Sequence, residues 1–134
     1  MAKNNYINGS LFTGKPLTVS ETAISGMVAD YLDARRIYND RLNSGMVRVG
    51  HKFIYLCKKG TPDRLAIVSG RAVYIEVKSL GKKPSADQIS RHAELRAAGA
   101  FVIVADSFDS FVRRFKELCD ELKSERQTCR CALI

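Results

Sequence analysis

Two carboxylates and a lysine lie close together in the middle of the chain, next to segments that are otherwise apolar. Asp63 follows a turn-forming Gly-Thr-Pro sequence, and Glu76 and Lys78 lie in the apolar run at residues 72–78. Carboxylate oxygens are hard ligands that suit Mg²⁺, which proteins usually hold through one or two carboxylates together with water and substrate phosphate. These residue types therefore indicate a site for a divalent cation that a phosphate group can share.

Two segments of high β propensity follow Asp63, and the second of them contains Glu76 and Lys78. The runs at residues 64–68 and 72–78 are separated by a short stretch that contains a glycine. Such runs joined by a glycine-containing turn predict a β-hairpin. A two-residue loop can begin at Ser69 or at Gly70, and both registers remain open, while an odd-length loop or a bulge would break the parity on which both depend.

The three polar side chains share one face of this hairpin in either register, because residues i and i+2 of a strand point the same way. A loop that begins at Ser69 puts Asp63 opposite Glu76, whereas a loop that begins at Gly70 puts Asp63 opposite Lys78. Two facing carboxylates repel each other. The first register therefore predicts a cation between the two carboxylates or a proton on one of them.

A helix and a strand are predicted in the first half of the chain. Apolar residues recur at helical spacing at Ile24, Met27, Val28, Tyr31 and Leu32. Thr18 and Glu21 predict a capping box at the start of this helix. Residues 39–50 are polar and irregular, and the apolar run at residues 52–57 predicts a strand.

The second half of the chain predicts a parallel crossover. Ser85 and Gln88 form a capping box for a helix that ends at Gly99, and residues 101–104 predict a buried strand. A last helix begins near Ser107, and its apolar stripe faces the core or joins a dimer interface; the stripe consists of Phe111, Phe115, Leu118 and Leu122. A strand–helix–strand unit after a hairpin predicts a mixed sheet and an α/β fold.

Length and composition indicate one intracellular domain. The chain has 134 residues, of which 46% are hydrophobic, and it contains neither an apolar run of about 18–20 residues nor a signal-peptide pattern. We expect a lead-in at residues 1–16, the domain at residues 17–123 and a tail at residues 124–134. The formal net charge of +8 favours a polyanionic partner such as nucleic acid, although a basic surface that only maintains solubility is the alternative.

Three short motifs, in this order, resemble those of the PD-(D/E)xK nucleases, and most closely the VRR-NUC domain. They are the Gly-Thr-Pro-Asp turn that ends at Asp63, the Ile-Glu-Val-Lys strand that ends at Lys78, and Gln88 in the following helix. The resemblance runs from about Glu21 to Val112, where Val-Arg-Arg stands in a place comparable to the motif that names the family. It implies a restriction-endonuclease-like α/β fold, with a mixed β-sheet flanked by helices.

The resemblance also implies a metal site. Asp63 and Glu76 match the metal-binding acids of the family, and the main-chain carbonyl of Val77 would supply a further ligand. Glu21 matches the helical acid that binds a second metal ion or a metal-bound water. The implied cofactor is Mg²⁺, for which Mn²⁺ would substitute.

The remaining implied roles belong to Lys78, which would orient or deprotonate the attacking water, and Gln88, which would steady the lysine or the water. Glu21 and Gln88 also have a purely structural interpretation as helix-capping residues.

The predicted function is a Mg²⁺-dependent DNA endonuclease selective for branched DNA such as four-way junctions or flaps. We expect a homodimer in the cytoplasm, encoded by a bacterium or phage, with no membrane partner. A non-catalytic nucleic-acid-binding module on the same fold and a protein-interaction domain are the alternatives.

Overall fold

The computed structural model of the chain describes residues 6–7, 10–11, 18–43 and 45–132. Three helices and eight strands are present in these residues: β1 (Tyr6–Ile7), β2 (Ser10–Leu11), α1 (Glu21–Ala34), β3 (Asn39–Arg41), β4 (Met46–Val49), β5 (Lys52–Tyr55), β6 (Arg64–Val68), β7 (Arg71–Val77), α2 (Ala86–Ala97), β8 (Phe101–Ala105) and α3 (Phe108–Ala132). No helix of the described residues has the length and apolar character to cross a membrane.

The structure describes few residues of the predicted lead-in but most residues of the predicted tail. Within the predicted lead-in at residues 1–16, the short strands β1 and β2 pair with each other in antiparallel fashion, and the other residues of that segment lie outside the described ones. At the other end, α3 continues to Ala132, so that residues 124–132 of the predicted tail are helical.

The central sheet has four strands in the order β3-β6-β7-β8. Strands β3, β6 and β7 pair in antiparallel fashion, whereas β8 runs parallel to β7. Parallel neighbours cannot be joined by a tight turn and need a crossover connection, which α2 supplies. The prediction of a mixed sheet flanked by helices is therefore confirmed.

The β6–β7 hairpin adopts the first of the two registers that the sequence left open. Val68 pairs with Arg71, and Ser69 and Gly70 form the loop with φ angles of 53° and 78°. Positive φ at both loop positions is the backbone of the type I′ turn, whose twist matches that of the two strands. Arg64 pairs with Ile75, so the next residue outward, Asp63, lies opposite Glu76.

The hydrophobic core lies on one face of the sheet, beneath α1 and α3. Alternate residues of β7 point into it, and Ile24, Val28 and Leu32 of α1 are buried, as the helical spacing predicts. The predicted stripe of α3 is buried too, which confirms its core role, and Tyr31 of α1 lies edge-on to two of its rings, at 5.6 and 5.8 Å between centroids. Met27 departs from the pattern and is exposed.

Two predictions of local structure were wrong. The N-cap of α1 is Ser20, whose side chain accepts from the Ala23 amide, rather than Thr18, and this leaves the Glu21 side chain available elsewhere. Residues 39–50 contain two strands instead of an irregular segment. The polar strand β3 forms because its backbone pairs with β6, a tertiary contact that outweighs intrinsic propensity.

Candidate active site

Glu76 is a carboxylate buried within the sheet, with only 2% of its surface exposed. It lies on the face of β7 opposite the main core, since its neighbours Ile75 and Val77 point the other way. Oε1 of Glu76 accepts from Nε2 of Gln88 at 3.1 Å, while Oε2 has no hydrogen-bond partner in the described part of the chain. A buried carboxylate oxygen without a donor is costly, and this makes Glu76 the first candidate for a cation ligand.

Asp63 is held beside Glu76 by a turn that is fixed at both ends. Oδ2 of Asp63 accepts from the Val77 amide at 3.4 Å, and the main-chain oxygen of Asp63 accepts from Leu42 at 2.7 Å. The turn approaches the first turn of α2 so closely that a Cβ on Gly60 would lie 2.4 Å from the Asp87 carbonyl oxygen. Gly60 also has a φ of +82°, so both backbone conformation and space require glycine there.

Lys78 lies one residue beyond the end of β7, and its amide continues the parallel ladder by donating to the Ala105 carbonyl at 2.8 Å. Its side chain, 17% exposed, places Nζ 3.6 Å from Oε1 of Glu76. The ammonium group therefore lies at the border between the buried carboxylate and solvent. At this position it can donate to an anion that approaches from outside.

Gln88 performs two tasks at once. Its Oε1 accepts from the Ser85 amide at 2.9 Å while its backbone amide donates to Oγ of Ser85, which completes the predicted capping box. Its Nε2 donates to Glu76. The capping interpretation of Gln88 is thus correct without excluding a place in the candidate site.

Glu21 contacts the same end of β7 from another direction. Its Oε1 accepts from both the amide and the hydroxyl group of Ser79, at 2.8 and 3.0 Å. The Ser79 amide holds the pKa of Glu21 below its ordinary value, against the opposing effect of burial. Glu21 therefore brings an ionised carboxylate to the residue that follows Lys78, and its predicted role at a metal ion stays a prediction.

The electrostatics of the cluster are dominated by the cost of charging Glu76. Burial, with repulsion from the Asp63 carboxylate as the second cause, raises the pKa of Glu76 from 4.5 to about 8, although Lys78 acts in the opposite direction. The metal-free protein therefore carries a proton on Glu76 at neutral pH. A divalent cation between Glu76 and Asp63 would replace that proton.

Sequence reasoning missed His92, which covers Glu76 from α2. Its side chain is buried, and its Nε2 lies 3.8 Å from Oε2 of Glu76, so that two polar atoms without hydrogen-bond partners face each other. Burial, followed by the nearby charges of Arg96 and Lys78, lowers the pKa of His92 and favours the neutral ring. One signal was available, because His92 follows Gln88 by four residues and so lies on the same face of α2.

The donor set fits a hard divalent cation that completes its coordination with water and phosphate. Asp63 and Glu76 supply carboxylate oxygens, and Oε2 of Glu76 is the unpartnered buried atom that a cation would satisfy. Among the residues that the structure describes, no three Asp, Glu, His or Cys side chains form a metal-binding group. This arrangement suits Mg²⁺, which keeps several waters and rarely occupies an all-protein cage.

The basic residues around the cluster are of two kinds. Lys59 pairs with Asp87 at 2.9 Å, Lys58 pairs with Glu94, and Arg91 donates to the Lys59 carbonyl at 3.1 Å, so these three cations are partly engaged in holding the turn against α2. Others are exposed on the segments that flank Asp63 and Lys78, and they are Arg41, Arg48, Lys52, Lys82 and Lys83. Exposed cations beside a buried acidic cluster suit a polyanion whose phosphate reaches the acids.

Comparisons with known proteins bear on the fold and on the relatives of the chain. No protein-family model matches the chain. A solved structure described as a VRR_NUC domain superposes with a TM-score of 0.58 at 24% identity, covering 72% of this chain and 94% of that one, which shows the fold. A protein of Acyrthosiphon pisum secondary endosymbiont phage 1, named "Putative nuclease p44", is 42% identical over 62 residues, which are 46% of this chain and 67% of that protein. The chain is therefore related to this protein named as a putative nuclease, and it has the fold of the VRR_NUC domain.

Proposed function

We propose that the protein is a metal-dependent endonuclease that hydrolyses phosphodiester bonds in DNA, with Mg²⁺ as its cofactor and Mn²⁺ as a substitute. The observation that carries the proposal is the buried Glu76 carboxylate, which lies opposite Asp63 and 3.6 Å from the Lys78 ammonium group. A fold needs no such repulsive pair for its own stability. A purely nucleic-acid-binding module would have no use for it either.

Each residue of the cluster has a task that follows from its position. Asp63 and Glu76 would hold the cation, with the Val77 carbonyl as a further ligand and Glu21 at a second ion or a bound water. When bound, Mg²⁺ would lower the pKa of a water and neutralise charge on the phosphate oxygens. Lys78 would donate to the attacking water or to a phosphate oxygen.

Gln88 fixes the rotamer of Glu76 in this proposal, since its amide group is itself held by the helix cap. The carboxylate thus has little freedom to turn away when the cation is absent. Such preorganisation limits the loss of entropy when the catalytic geometry forms.

We further propose selectivity for branched DNA, such as four-way junctions or flaps, and action as a homodimer. Phosphate contacts from exposed lysine and arginine side chains give affinity without reading sequence, so selection would depend on the shape of the DNA. A two-fold symmetric dimer would place two sites on one branched substrate. Sedimentation equilibrium tests the dimer, and a monomer across micromolar concentrations would refute it.

Cleavage of a panel of substrates tests the activity. Junction, flap, duplex and single-stranded DNA are incubated with the wild-type protein, Lys78→Ala and Lys116→Ala, in Mg²⁺ and in EDTA. We expect Lys78→Ala to cut about 10²- to 10⁴-fold more slowly while binding DNA normally. Lys116→Ala removes an exposed lysine of α3 and should cut at the wild-type rate.

The proposal fails if the wild-type protein cuts no substrate in Mg²⁺, or cuts equally well in EDTA. It also fails if Lys78→Ala cuts at the normal rate, because the chemistry would then lie elsewhere. Binding without cleavage by the wild-type protein would favour the non-catalytic alternative.

A further inference from the structure

The β4–β5 hairpin exposes apolar side chains over its whole length. Every residue of both strands is exposed, including Phe53 at 65% and Tyr55 at 49%. Within the described part of the chain, the two strands pack extensively only against each other. An isolated two-stranded hairpin is marginally stable in water, so this one gains stability when its surface is covered.

The two faces of this hairpin differ in chemistry. Met46 pairs with Tyr55 and Arg48 with Phe53, and because paired and alternate residues share a face, these four side chains lie together. We call them the aromatic face. The opposite face is mainly aliphatic and consists of Val47, Val49, Lys52 and Ile54.

The spacing of the two rings on the aromatic face suits a nucleobase. Phe53 and Tyr55 are two residues apart in one strand, which separates their Cα atoms by about 6.8 Å. Stacked bases are about 3.4 Å apart, so one base fits between two rings at twice that distance. Arg48 lies across the strand from Phe53 and adds a cation beside the rings.

The charge of the segment favours nucleic acid over a second copy of the chain. Residues 42–62 contain no aspartate or glutamate, while Arg48, His51 and Lys52 lie on or between the hairpin strands. Two copies that met at this segment would bring like charges together. Aromatic rings interleaved with cations are the usual surface for unpaired nucleotides, because every base can stack and every phosphate is attracted.

The hairpin is also continuous with the candidate active site. A cleft of about 410 Å³ is lined by Met46, Val47 and Leu56 from the base of the hairpin and by Asp63 from the acidic cluster. A strand of nucleic acid whose phosphate reached Asp63 would therefore have its neighbouring nucleotides at the hairpin.

We propose that the aromatic face of the β4–β5 hairpin binds an unpaired nucleotide beside the scissile phosphate by stacking it on Phe53 and Tyr55. The position of that phosphate rests on the proposed function. Stacking of this kind rewards a substrate whose bases are already unpaired near the cut, as at a branch point or flap. A continuous duplex would first have to unstack a base.

Fluorescence of 2-aminopurine tests the proposal without cleavage. The probe is a flap oligonucleotide with 2-aminopurine at its branch point, and the protein carries Lys78→Ala so that the DNA stays intact. Phe53→Ala and Tyr55→Ala are compared with Ile54→Ala as a matched control. Ile54 lies between the two aromatic residues in the sequence and is 47% exposed, but its side chain is on the opposite face of the hairpin.

We expect quenching of 2-aminopurine on binding, and about 5- to 100-fold weaker affinity for Phe53→Ala and Tyr55→Ala. Ile54→Ala should bind as before, and Phe53→Trp, which keeps a stacking ring, should restore the affinity. Circular dichroism melting of each variant shows whether the fold is retained. In the active protein, Phe53→Ala should slow flap cleavage more than cleavage of nicked duplex.

Equal affinity and equal quenching for Phe53→Ala, Ile54→Ala and the parent would overturn the proposal while leaving cleavage untouched. It would also be overturned if sedimentation showed that Phe53→Ala converts a dimer to a monomer, since the face would then be an interface between copies. A wild-type protein that binds the probe with quenching but never cuts would instead refute the proposed function.

Discussion

Glu76 should make the metal-free protein less stable as the pH rises from about 4.5 to 8. Burial, and then the Asp63 carboxylate, raises its pKa in the folded protein from 4.5 to about 8. Below pH 4.5 Glu76 carries its proton in both the folded and the unfolded chain. Between the two pKa values the unfolded chain releases the proton whereas the folded protein keeps it, so the free energy of unfolding falls.

The size of this effect follows from the difference between the two pKa values. One pKa unit corresponds to about 1.4 kcal/mol, so the complete loss through this interval is about 5 kcal/mol. A small domain has a free energy of unfolding of about 5–15 kcal/mol in total. The expected loss is therefore a third or more of the total, which is large enough to measure.

Urea unfolding in EDTA at pH 5, 6.5 and 8 measures the effect. Glu76→Gln keeps the shape of a protonated carboxyl group and should be nearly as stable at pH 8 as at pH 5. The matched control is Glu117→Gln, which changes an exposed glutamate of α3 and should keep the wild-type pH dependence. Mg²⁺ should restore the stability of the wild-type protein at pH 8, because a ligand of the folded state stabilises that state.

The decisive quantity is the difference in free energy of unfolding between the wild-type protein and Glu76→Gln, because His92 also makes stability depend on pH between 4.5 and 8. Burial lowers the pKa of His92, so its effect on stability has the opposite sign: stability falls as the pH drops below about 6.5, where only the unfolded chain takes up the proton. Both proteins contain His92, so the difference between their pH profiles reports Glu76 together with its coupling to His92, whose ring lies 3.8 Å away. Parallel pH profiles for the two proteins would refute the protonation of Glu76.

Three further predictions concern the supports of the site. Gly60→Ala should lower the free energy of unfolding by at least about 2 kcal/mol in urea, since its Cβ meets the Asp87 backbone at a positive φ; an unchanged midpoint would contradict the close approach. His92→Leu should weaken Mg²⁺ binding about 10- to 100-fold by calorimetry, and His92→Gln should recover part of it, whereas equal affinities would show that His92 does not position Glu76. Ser69→Asn should stabilise by about 0.5 kcal/mol, since Asn tolerates the left-handed backbone better; a lower melting temperature would count against this reasoning.

The position of Asp63 relative to Glu76 was largely predictable from the sequence. The side-chain period of a strand is two, so any even-length loop puts Asp63, Glu76 and Lys78 on one face. The choice between the two registers depended on whether Ser69 would accept a positive φ. That choice was a matter of a small energy difference that composition does not reveal.

The surroundings of Glu76 were only partly predictable, because they depend on tertiary packing. Gln88 was found through its capping pattern, but its second contact needed the crossing of α2 over β7. His92 has no capping or charge pattern of its own, and a lone histidine on a helix is more often structural. The strand β3 was missed because it is held by backbone pairing with β6, and the periodicity of side chains gives no information about backbone pairing.

The β4–β5 hairpin shows the limit of reading apolar patterns. The run at residues 52–57 was correctly predicted as a strand, and its composition is that of a core strand. Hydrophobicity reports that a segment gains free energy when it leaves water, but not what covers it. In the free protein, both the buried Glu76 oxygen without a hydrogen-bond partner and the exposed rings of the hairpin are unfavourable. Binding of a cation and of a nucleic acid would relieve both, and one cleft joins the base of the hairpin to Asp63, the neighbour of Glu76.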